Sequence, residues 1–213
     1  MAAAVFYELV GYPGDVYTPA VYACTTPDES MEGQQLYLLD FCFKPEELKY
    51  LISKGSTITV IDHHKNAVAA AKTIKDSKLS MEASNTDYCG AENVFRAYSS
   101  GGAVPRVIQL IGDRDLWKFE YPDTRAFAAG LDLRESTPEN MREVLNWSHS
   151  QIQRCIDQGY QILDYQKGLH QSHVKQCTRE MTIGGFTVPV CNAFGAFASD
   201  IGEVMYTHFY PDA

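Results

Sequence analysis

Two compact apolar runs that each end in an aspartate set the strongest limit on how this chain folds. QLYLL at Gln35–Leu39 leads into Asp40, and STITVI at 56–61 leads into Asp62. Short apolar runs bounded by polar residues are typical of strands buried on both faces, as in a parallel sheet. A helix start at Pro45 separates the two runs, so the pattern predicts a β-α-β unit with both aspartates at one edge of the sheet.

The rest of the first half alternates in the same way. This alternation predicts an α/β fold with a largely parallel sheet, flanking helices and right-handed crossovers. The further predicted elements are an N-terminal helix that ends near Gly11, a strand at 79–84 and helices at 90–98 and 104–112. The segment 104–112 also fits a strand, but we favour a helix whose end carries Asp113.

The pattern changes from Thr137 onward. Thr137-Pro138-Glu139 marks a capped helix start, and apolar residues at helical spacing continue to about Arg179, although Gly159 and Gly168 weaken an uninterrupted helix. A β-hairpin is predicted around Gly184-Gly185, and a last helix begins at a Ser199-Asp200 cap. A single hairpin and helix make a poor independent domain. We therefore predict an α/β domain at 1–135, a connecting helical segment at 136–180 and the start of an incomplete second lobe at 181–213.

Composition narrows the class of ligand and the compartment. A formal net charge of −9 argues against a scaffold for long nucleic acids, which are held by clustered Lys and Arg. A small phosphorylated substrate is compatible with this charge, because bound metal ions can reverse the sign of a pocket. Six scattered cysteines without a Cys-x-x-Cys pair, no signal peptide and no apolar run of bilayer length predict a reduced, cytoplasmic protein that does not enter a membrane.

Acidic and imidazole side chains cluster at the predicted edge of the sheet. His63 and His64 follow Asp62 directly, Asp40 ends the neighbouring strand, and Asp113 ends the predicted helix. Carboxylates and imidazoles together suit Mn²⁺, Mg²⁺ or Zn²⁺, and clustered carboxylates repel one another without a cation. A single aspartate in this position often only caps the next helix, and a single histidine is often structural. Two adjacent histidines at the end of a buried strand favour a metal site.

Three motifs in order resemble the DHH phosphoesterase superfamily. STITVIDHHKNA at 56–67 is similar to the signature from which that family takes its name. LYLLDF at Leu36–Phe41 resembles its second motif, an apolar strand that ends in a metal-bridging aspartate, and GDRDLWKF at Gly112–Phe119 resembles its fourth. The resemblance covers most of Tyr7–Leu133 and implies a parallel-sheet DHH-type domain with flanking helices, followed here by the connecting helix and the incomplete second lobe.

The resemblance implies a metal-binding role for three residues. Asp40 corresponds to the carboxylate that bridges two metal ions, His63 to a ligand of one ion, and Asp113 to the fourth-motif ligand. Asp115 is the alternative to Asp113 if the register of that motif differs. Asp113 is favoured because it stands in better register with Trp117.

Catalytic and substrate-binding roles are also implied by the resemblance. Asp62 is expected to orient a histidine or to reach a metal through water, and His64 is expected to contact the phosphate. Lys65 and Arg114 are candidates for holding phosphate oxygens. The alternative for these two cations is that they are solvated charges at the rim of the site.

Two departures from the family pattern bear on the expected activity. The strand and His-x-x-x-Asp-x-Asp-Gly loop of the first motif have no counterpart in MAAAVFYELVG, which resembles the helix that follows that loop. No glycine-rich GGGH-type loop follows CNAFGAFASDIGEVMYTHFYPDA, which resembles the start of the family's second domain. We therefore expect this chain to hold one ion weakly where the family pattern holds two, and to turn over slowly.

The expected function is that of a metal-dependent phosphoesterase with Mn²⁺ or Mg²⁺ as cofactor, ideally as two ions. Its substrate would be a phosphodiester, phosphomonoester or phosphoanhydride of a small nucleotide, a short oligonucleotide or polyphosphate. The alternative is a catalytically impaired or inactive relative that binds a nucleotide, a metal or a protein partner. A purely structural α/β module is the weakest hypothesis, and a homodimer is compatible with each of the three.

Overall fold

The computed structural model describes residues 1–11, 14–22, 24–81 and 83–211. Within these ranges the protein is a mixed α/β structure with nine α-helices, a three-stranded parallel sheet and a two-stranded antiparallel sheet. The helices are α1 (Ala2–Leu9), α2 (Pro45–Ser53), α3 (Lys65–Ala71), α4 (Gly90–Tyr98), α5 (Arg106–Asp115), α6 (Thr124–Leu131), α7 (Pro138–Leu145), α8 (His149–Cys177) and α9 (Ala198–Val204). The strands are β1 (Gln35–Leu39), β2 (Thr57–Ile61), β3 (Leu79–Ser80), β4 (Thr178–Ile183) and β5 (Phe186–Cys191). Across the described part of the chain, no helix combines the length and apolarity needed to cross a bilayer.

The parallel sheet has the order β1-β2-β3, and its register determines where the polar residues meet. The last residues of the first two strands, Leu39 and Ile61, are paired, so β1 and β2 end level with each other. The amide of Asp40 donates to the carbonyl of Ile61 at 2.8 Å, which extends the pairing by one step. Asp40 and Asp62 therefore leave the sheet side by side, as the two apolar runs predict.

The third strand is shorter than the sequence predicts. β3 has two residues, whereas the pattern predicts a strand across 79–84. In place of further strand pairing, the hydroxyl of Ser84 donates to the carbonyl of Val60 and accepts from the amide of Asp62, each at 3.1 Å. This side chain satisfies backbone groups that a longer β3 would have paired. Glu82 of this segment lies outside the described residues.

Helices cover both faces of the parallel sheet. Leu48 and Leu51 of α2 pack with Val60 in one apolar cluster, whereas Ile61 packs with Val94 of α4 in another. All five side chains are fully buried. Burial of one such side chain contributes about 1.5–3 kcal/mol to the stability of the fold. The two clusters therefore fix the positions of the strand ends.

The segment 104–112, whose sequence fits either a helix or a strand, contributes most of its residues to helix α5. α5 begins after Pro105 and continues to Asp115, so both aspartates of GDRD lie in its last turn. Side chains two residues apart on a helix point about 200° apart, so Asp113 and Asp115 face different surroundings. α6 has no counterpart among the elements that the sequence predicts.

α7 and the first half of α8 contribute to the core of the α/β unit. Val144 of α7 and both Ile152 and Ile156 of α8 pack in one cluster with Val107 of α5 and Phe127 of α6. The start of the helical segment that the sequence predicts as a connection is thus part of the core. It packs against α5, which carries the GDRD sequence, and against α6.

α8 is a single helix of 29 residues that passes through two glycines. A Cβ at Gly159 would clash with the backbone carbonyl of Ala126 in α6, whereas Gly168 has open space around it. Glycine at position 159 therefore allows α6 and α8 to pack at backbone contact. The sequence predicts that these glycines weaken the helix, but packing against α6 outweighs the cost in helix propensity.

Substituting each glycine of α8 by alanine tests this packing. Gly159→Ala is expected to lower the free energy of unfolding by about 3 kcal/mol or more, because the new methyl group forces α6 and α8 apart. Gly168→Ala is the matched control and is expected to raise the free energy of unfolding by about 0.5–1 kcal/mol, because it improves helix propensity in open space. Urea unfolding followed by circular dichroism measures both. Equal effects of the two substitutions would contradict the close approach of α6 and α8.

The end of the chain forms the predicted hairpin and final helix. β4 and β5 are antiparallel and turn through Gly184-Gly185, whose φ angles are 61° and 88°. α9 begins at Ala198, one residue before the predicted Ser199-Asp200 cap. The hairpin leaves apolar surface in solvent, with Phe186 75% exposed. Residues 212–213 lie outside the described part of the chain.

All six cysteines lie within the described residues and carry free thiols. Burial raises the pKa of Cys42 to about 12 and that of Cys89 to about 11. These two thiols therefore stay protonated at neutral pH and act as small apolar side chains.

Candidate metal centre

The residues that follow β1 and β2 meet at the carboxyl edge of the parallel sheet. One ligand atom each from Asp40, Asp62, His63 and His64 lies within 4.8 Å of the other three. The strand register produces this cluster, because Asp40 and Asp62 directly follow a pair of facing residues. The structure thus brings together four of the residues that the sequence singles out.

Asp40 adopts a backbone conformation that few residues tolerate. Its φ is 60°, in the left-handed region, which aspartate enters more readily than most non-glycine residues. The side chain lies against Gly90 at the start of α4, where a Cβ would clash with the carboxyl group. A glycine at the first position of α4 therefore leaves the space in which the Asp40 carboxylate sits.

His63 stands between two carboxylates. Its Nε2 lies 3.2 Å from Oδ1 of Asp40 and 3.3 Å from Oδ2 of Asp115. The hydrogen bond with Asp40 raises the pKa of His63 against the opposing effect of burial, and the charge of Asp115 adds to the rise. Burial works to raise the pKa of Asp40, but the hydrogen bond and the charge of His63 outweigh it and lower that pKa.

The pKa of Asp115 is shifted in the opposite direction from that of Asp40. Burial raises the pKa of Asp115, and the nearby Asp40 carboxylate adds to this rise, although His63 opposes it. Two carboxylates therefore compete for one imidazole in a partly buried place. A divalent cation would relieve the repulsion between them.

Asp62 is fully buried and orients the second histidine. Its Oδ1 accepts from the amide of His63 at 2.8 Å and pairs with Nδ1 of His64 at 2.7 Å. Its Oδ2 accepts from the hydroxyl of Tyr22 at 2.7 Å. Both oxygens of Asp62 are thus engaged by protein groups, and a proton on Nδ1 of His64 leaves Nε2 of that ring for a ligand.

Tyr22 is a site residue that the sequence analysis missed. Besides its bond to Asp62, its hydroxyl accepts from the amide of Cys42 at 3.1 Å and lies 3.3 Å from Nδ1 of His64. Burial and the bond to Asp62 raise the pKa of Tyr22. Nothing in the sequence VYTPAVY at 16–22 connects this tyrosine with a site that begins at Asp40.

Asp113 is not placed as the sequence analysis predicts. Its carboxylate accepts from the amides of Glu120 and Tyr121 at 2.9 and 3.2 Å and from the hydroxyl of Thr124. The residue of this motif that contacts His63 is Asp115, the alternative that the register left open. The physical reason is the helix: α5 continues through both aspartates, and its turn directs Asp113 toward the loop and Asp115 toward the sheet edge.

The loop that Asp113 organises contains two backbone conformations of high energy. Trp117 and Phe119 have φ of 56° and 52°, which costs about 1–2 kcal/mol for each such residue. The carbonyl of Asp113 accepts from the amides of Lys118 and Phe119 at 2.9 and 3.5 Å, in addition to the bonds to its carboxylate. One buried aspartate therefore holds this short loop in place.

The two predicted phosphate-binding cations lie at the rim. Lys65 is exposed at the first position of α3, directly after His64. The guanidinium of Arg114 lies 4.3 Å from the ring centre of Trp117 and 3.9 Å from a carboxylate oxygen of Asp200. Both positions are compatible with a phosphate contact and with a solvated charge at the rim of the site.

The donor set around His63 fits a hard or borderline divalent cation. Two ligands of one ion with bonds of about 2.1 Å lie about 3.0–3.4 Å apart in octahedral or tetrahedral geometry. The separations of 3.2 and 3.3 Å from Nε2 of His63 to Asp40 and Asp115 fall in this range. One imidazole and two carboxylates suit Mn²⁺, Mg²⁺ or Zn²⁺.

No profile of a known protein family matches the chain, and no solved structure matches it. The chain is 25% identical over 185 residues to an uncharacterized protein, R106, of Acanthamoeba polyphaga mimivirus. The match covers 85% of this chain and 42% of the viral protein, so the chain spans less than half the length of that relative.

Neutralising each aspartate of GDRD separates a loop anchor from a candidate metal ligand. Asp113→Asn is expected to lower the free energy of unfolding at pH 7 by about 1–3 kcal/mol, because an amide cannot accept from all of the donors around it. Asp115→Asn without metal is expected to leave stability unchanged or slightly higher, because it removes a charge that burial disfavours. Urea unfolding in a chelating buffer measures both.

The pH dependence of the same variants gives a second readout. Burial opposes the ionised form of Asp113, but its three hydrogen bonds outweigh burial and lower its pKa. Its stabilising effect is therefore complete above about pH 4, near the unfolded pKa, and is lost as the pH falls through the lower folded pKa. Asp113→Asn should flatten the acid slope of stability, and an unchanged slope would contradict the anchoring role.

Proposed function

We propose that this chain is a metal-dependent phosphoesterase of the DHH type, with His63, Asp40 and Asp115 as the ligands of its first metal ion. The observation that carries the proposal is the position of His63 between two carboxylates, at 3.2 and 3.3 Å, at the carboxyl edge of a parallel sheet. The order of the three motifs that resemble this family adds support. Asp113 is not part of the proposed ligand set.

The cation would activate a water molecule for attack on phosphorus and would neutralise charge on the phosphoryl oxygens. The residues of the chain position the ion and the substrate. Asp62 fixes the ring of His64 through the 2.7 Å contact with Nδ1, which directs Nε2 toward the ligand side. With both ring nitrogens protonated, His64 would donate from Nε2 to a phosphoryl oxygen, and Lys65 beside it adds positive charge.

The groove along β1 and the net charge of the chain bear on the class of ligand. The groove has a volume of about 790 Å³, and of the three proposed metal ligands only Asp40 lies in its wall. The formal net charge of −9 disfavours a long polyanion at the site. We therefore place the substrate among small phosphorylated molecules or short oligonucleotides, with Mn²⁺ or Mg²⁺ as the ion.

The same groove favours a second candidate function. β1 pairs with one neighbour among the described residues, so its outer edge faces the groove, which Leu36 and Leu38 help to line. An open strand edge with apolar side chains is a surface to which an extended peptide can add. A relative that binds a metal and a protein partner, with little or no turnover, would use this surface, and a second copy of the chain is one such partner.

Metal binding tests the proposal through His63. His63→Ala is expected to weaken Mn²⁺ binding at least about tenfold in calorimetric titration, because it removes one of the three proposed ligands of the ion. His149→Ala, an exposed histidine at the start of α8, is the matched control and should bind as the unmodified protein does. Equal Mn²⁺ affinity in His63→Ala and the unmodified protein would contradict the site.

Turnover distinguishes the two candidate functions. The unmodified protein in Mn²⁺ is assayed on an activated phosphodiester, an activated phosphomonoester and pyrophosphate, each with an excess of chelator as the control. Metal-dependent hydrolysis of any of the three, lost in His63→Ala, is the outcome expected for the phosphoesterase. Tight Mn²⁺ binding without hydrolysis of any of the three substrates would support the non-catalytic relative instead.

A further inference from the structure

A histidine and a cysteine form a pair at the end of α8, where the helix passes into the hairpin. His173 and Cys177 are four residues apart on the helix, so their side chains lie on one face. The Sγ of Cys177 lies 3.8 Å from Nδ1 of His173. Two such ligands of one Zn²⁺ ion, with bonds of about 2.3 and 2.1 Å, lie about 3.6 Å apart in tetrahedral geometry. The pair therefore already has nearly the separation that a shared zinc ion requires.

A backbone carbonyl fixes the imidazole of this pair in a form that can bind a metal. Nε2 of His173 lies 2.8 Å from the carbonyl oxygen of Asn192, the residue that follows β5. Because a carbonyl oxygen only accepts, the proton of the neutral ring is on Nε2, and the lone pair of Nδ1 faces Cys177. Histidines that bind metals commonly donate their second ring N–H to such a carbonyl. The thiol of Cys177 is exposed, so an ion has access to the pair.

A second thiol lies beside the pair, on the other strand of the hairpin. Cys191 faces Thr178 in the register of β4 and β5, and Thr178 is the next residue after Cys177. The Sγ of Cys191 lies 3.9 Å from the carbonyl oxygen of Asn192, the same atom that accepts from His173. Among the described residues, this thiol does not join the pair within the 4.8 Å that unites the cluster at the sheet edge. Cys191 therefore has to move toward the pair to share an ion with it.

The packing of the hairpin leaves much of its apolar face uncovered. Three apolar side chains on the same face of the two strands are more than half exposed: Met181 at 51%, Ile183 at 57% and Phe186 at 75%. A two-stranded hairpin is marginally stable by itself in water. An ion held by α8 and β5 together would supply an attachment that packing does not, because metal binding stabilises the arrangement of the segments that carry its ligands.

We propose that His173, Cys177 and Cys191 bind a Zn²⁺ ion that attaches the hairpin to the end of α8. One imidazole and two thiolates are a soft donor set, which selects Zn²⁺ over Mn²⁺ and Mg²⁺. Each thiol loses its proton on binding, and a water molecule takes the fourth tetrahedral position. The site shares no residue with the proposed metal centre at His63, so it does not depend on the proposed function.

Cobalt absorption tests the site, because Co²⁺ replaces Zn²⁺ in tetrahedral sites and its bonds to thiolates absorb in the near ultraviolet. The protein is kept reduced with a phosphine, titrated with Co²⁺ and then with Zn²⁺. The expected result is a thiolate charge-transfer band that appears with Co²⁺, is lost when Zn²⁺ displaces the cobalt, and is unchanged in His63→Ala. No such band, or a band that is absent in His63→Ala, would overturn the inference.

Substitution of each ligand locates the ion. In the His63→Ala background, Cys177→Ser, Cys191→Ser and His173→Ala are each expected to weaken Zn²⁺ binding at least about tenfold by calorimetry, since loss of a ligand costs at least as much as loss of an outer-shell partner. Cys24→Ser, at an exposed thiol of the segment before β1, is the matched control and should bind Zn²⁺ as its parent does. Unchanged affinity in any of the three ligand variants would overturn the three-ligand site.

Hydrogen exchange measures the attachment of the hairpin. At a free Zn²⁺ concentration 100 times the dissociation constant, the amides of β4 and β5 are expected to exchange about a hundredfold more slowly, because the ion must leave before the hairpin detaches. The same amides in Cys177→Ser should exchange equally fast with and without Zn²⁺. Zinc binding that leaves the exchange of β4 and β5 unchanged in the unmodified protein would overturn the attachment.

Discussion

The level pairing of β1 and β2 is the constraint from which the site follows. Leu39 faces Ile61, and the amide of the next residue, Asp40, bonds the Ile61 carbonyl, so two strand ends deliver carboxylates to one place. A slip of one residue would turn Asp40 or Asp62 to the opposite face of the sheet. The apolar clusters on both faces oppose such a slip, because the apolar residues of β1 and β2 pack in two separate clusters, one on each face.

The two aspartates of the GDRD sequence lie in the last turn of α5 and have different surroundings. Asp113 points into the loop and is surrounded by donors, so its charge stabilises the fold above about pH 4. Asp115 points to His63 and carries a charge that burial and Asp40 disfavour. Asp113, whose ionised form is stabilised, fixes the loop that contains Trp117 and Phe119. Asp115, whose ionised form is disfavoured, is the better partner for a cation.

The features of the fold and of the site that can be predicted from the sequence are those that depend on local residue patterns and on the register of the strands. β1 and β2 and the cluster of Asp40, Asp62, His63 and His64 follow from two apolar runs and their polar ends. The sequence motif favours Asp113 over Asp115 because it depends on the spacing of residues along the chain, whereas the contact with His63 depends on the direction of each side chain in the helix turn. Tyr22 and the passage of α8 through Gly159 arise from contacts between distant segments, which single-sequence patterns do not encode.

Direct observation of the ion would test this account of the metal centre most strictly. Crystals grown with Mn²⁺ and measured near the manganese absorption edge locate the ion by its anomalous signal. The account predicts a peak about 2.0–2.3 Å from Nε2 of His63 and from one carboxylate oxygen each of Asp40 and Asp115, with Asp113 still bound to its loop. A peak coordinated by Asp113, or no peak near His63 at saturating Mn²⁺, would contradict it.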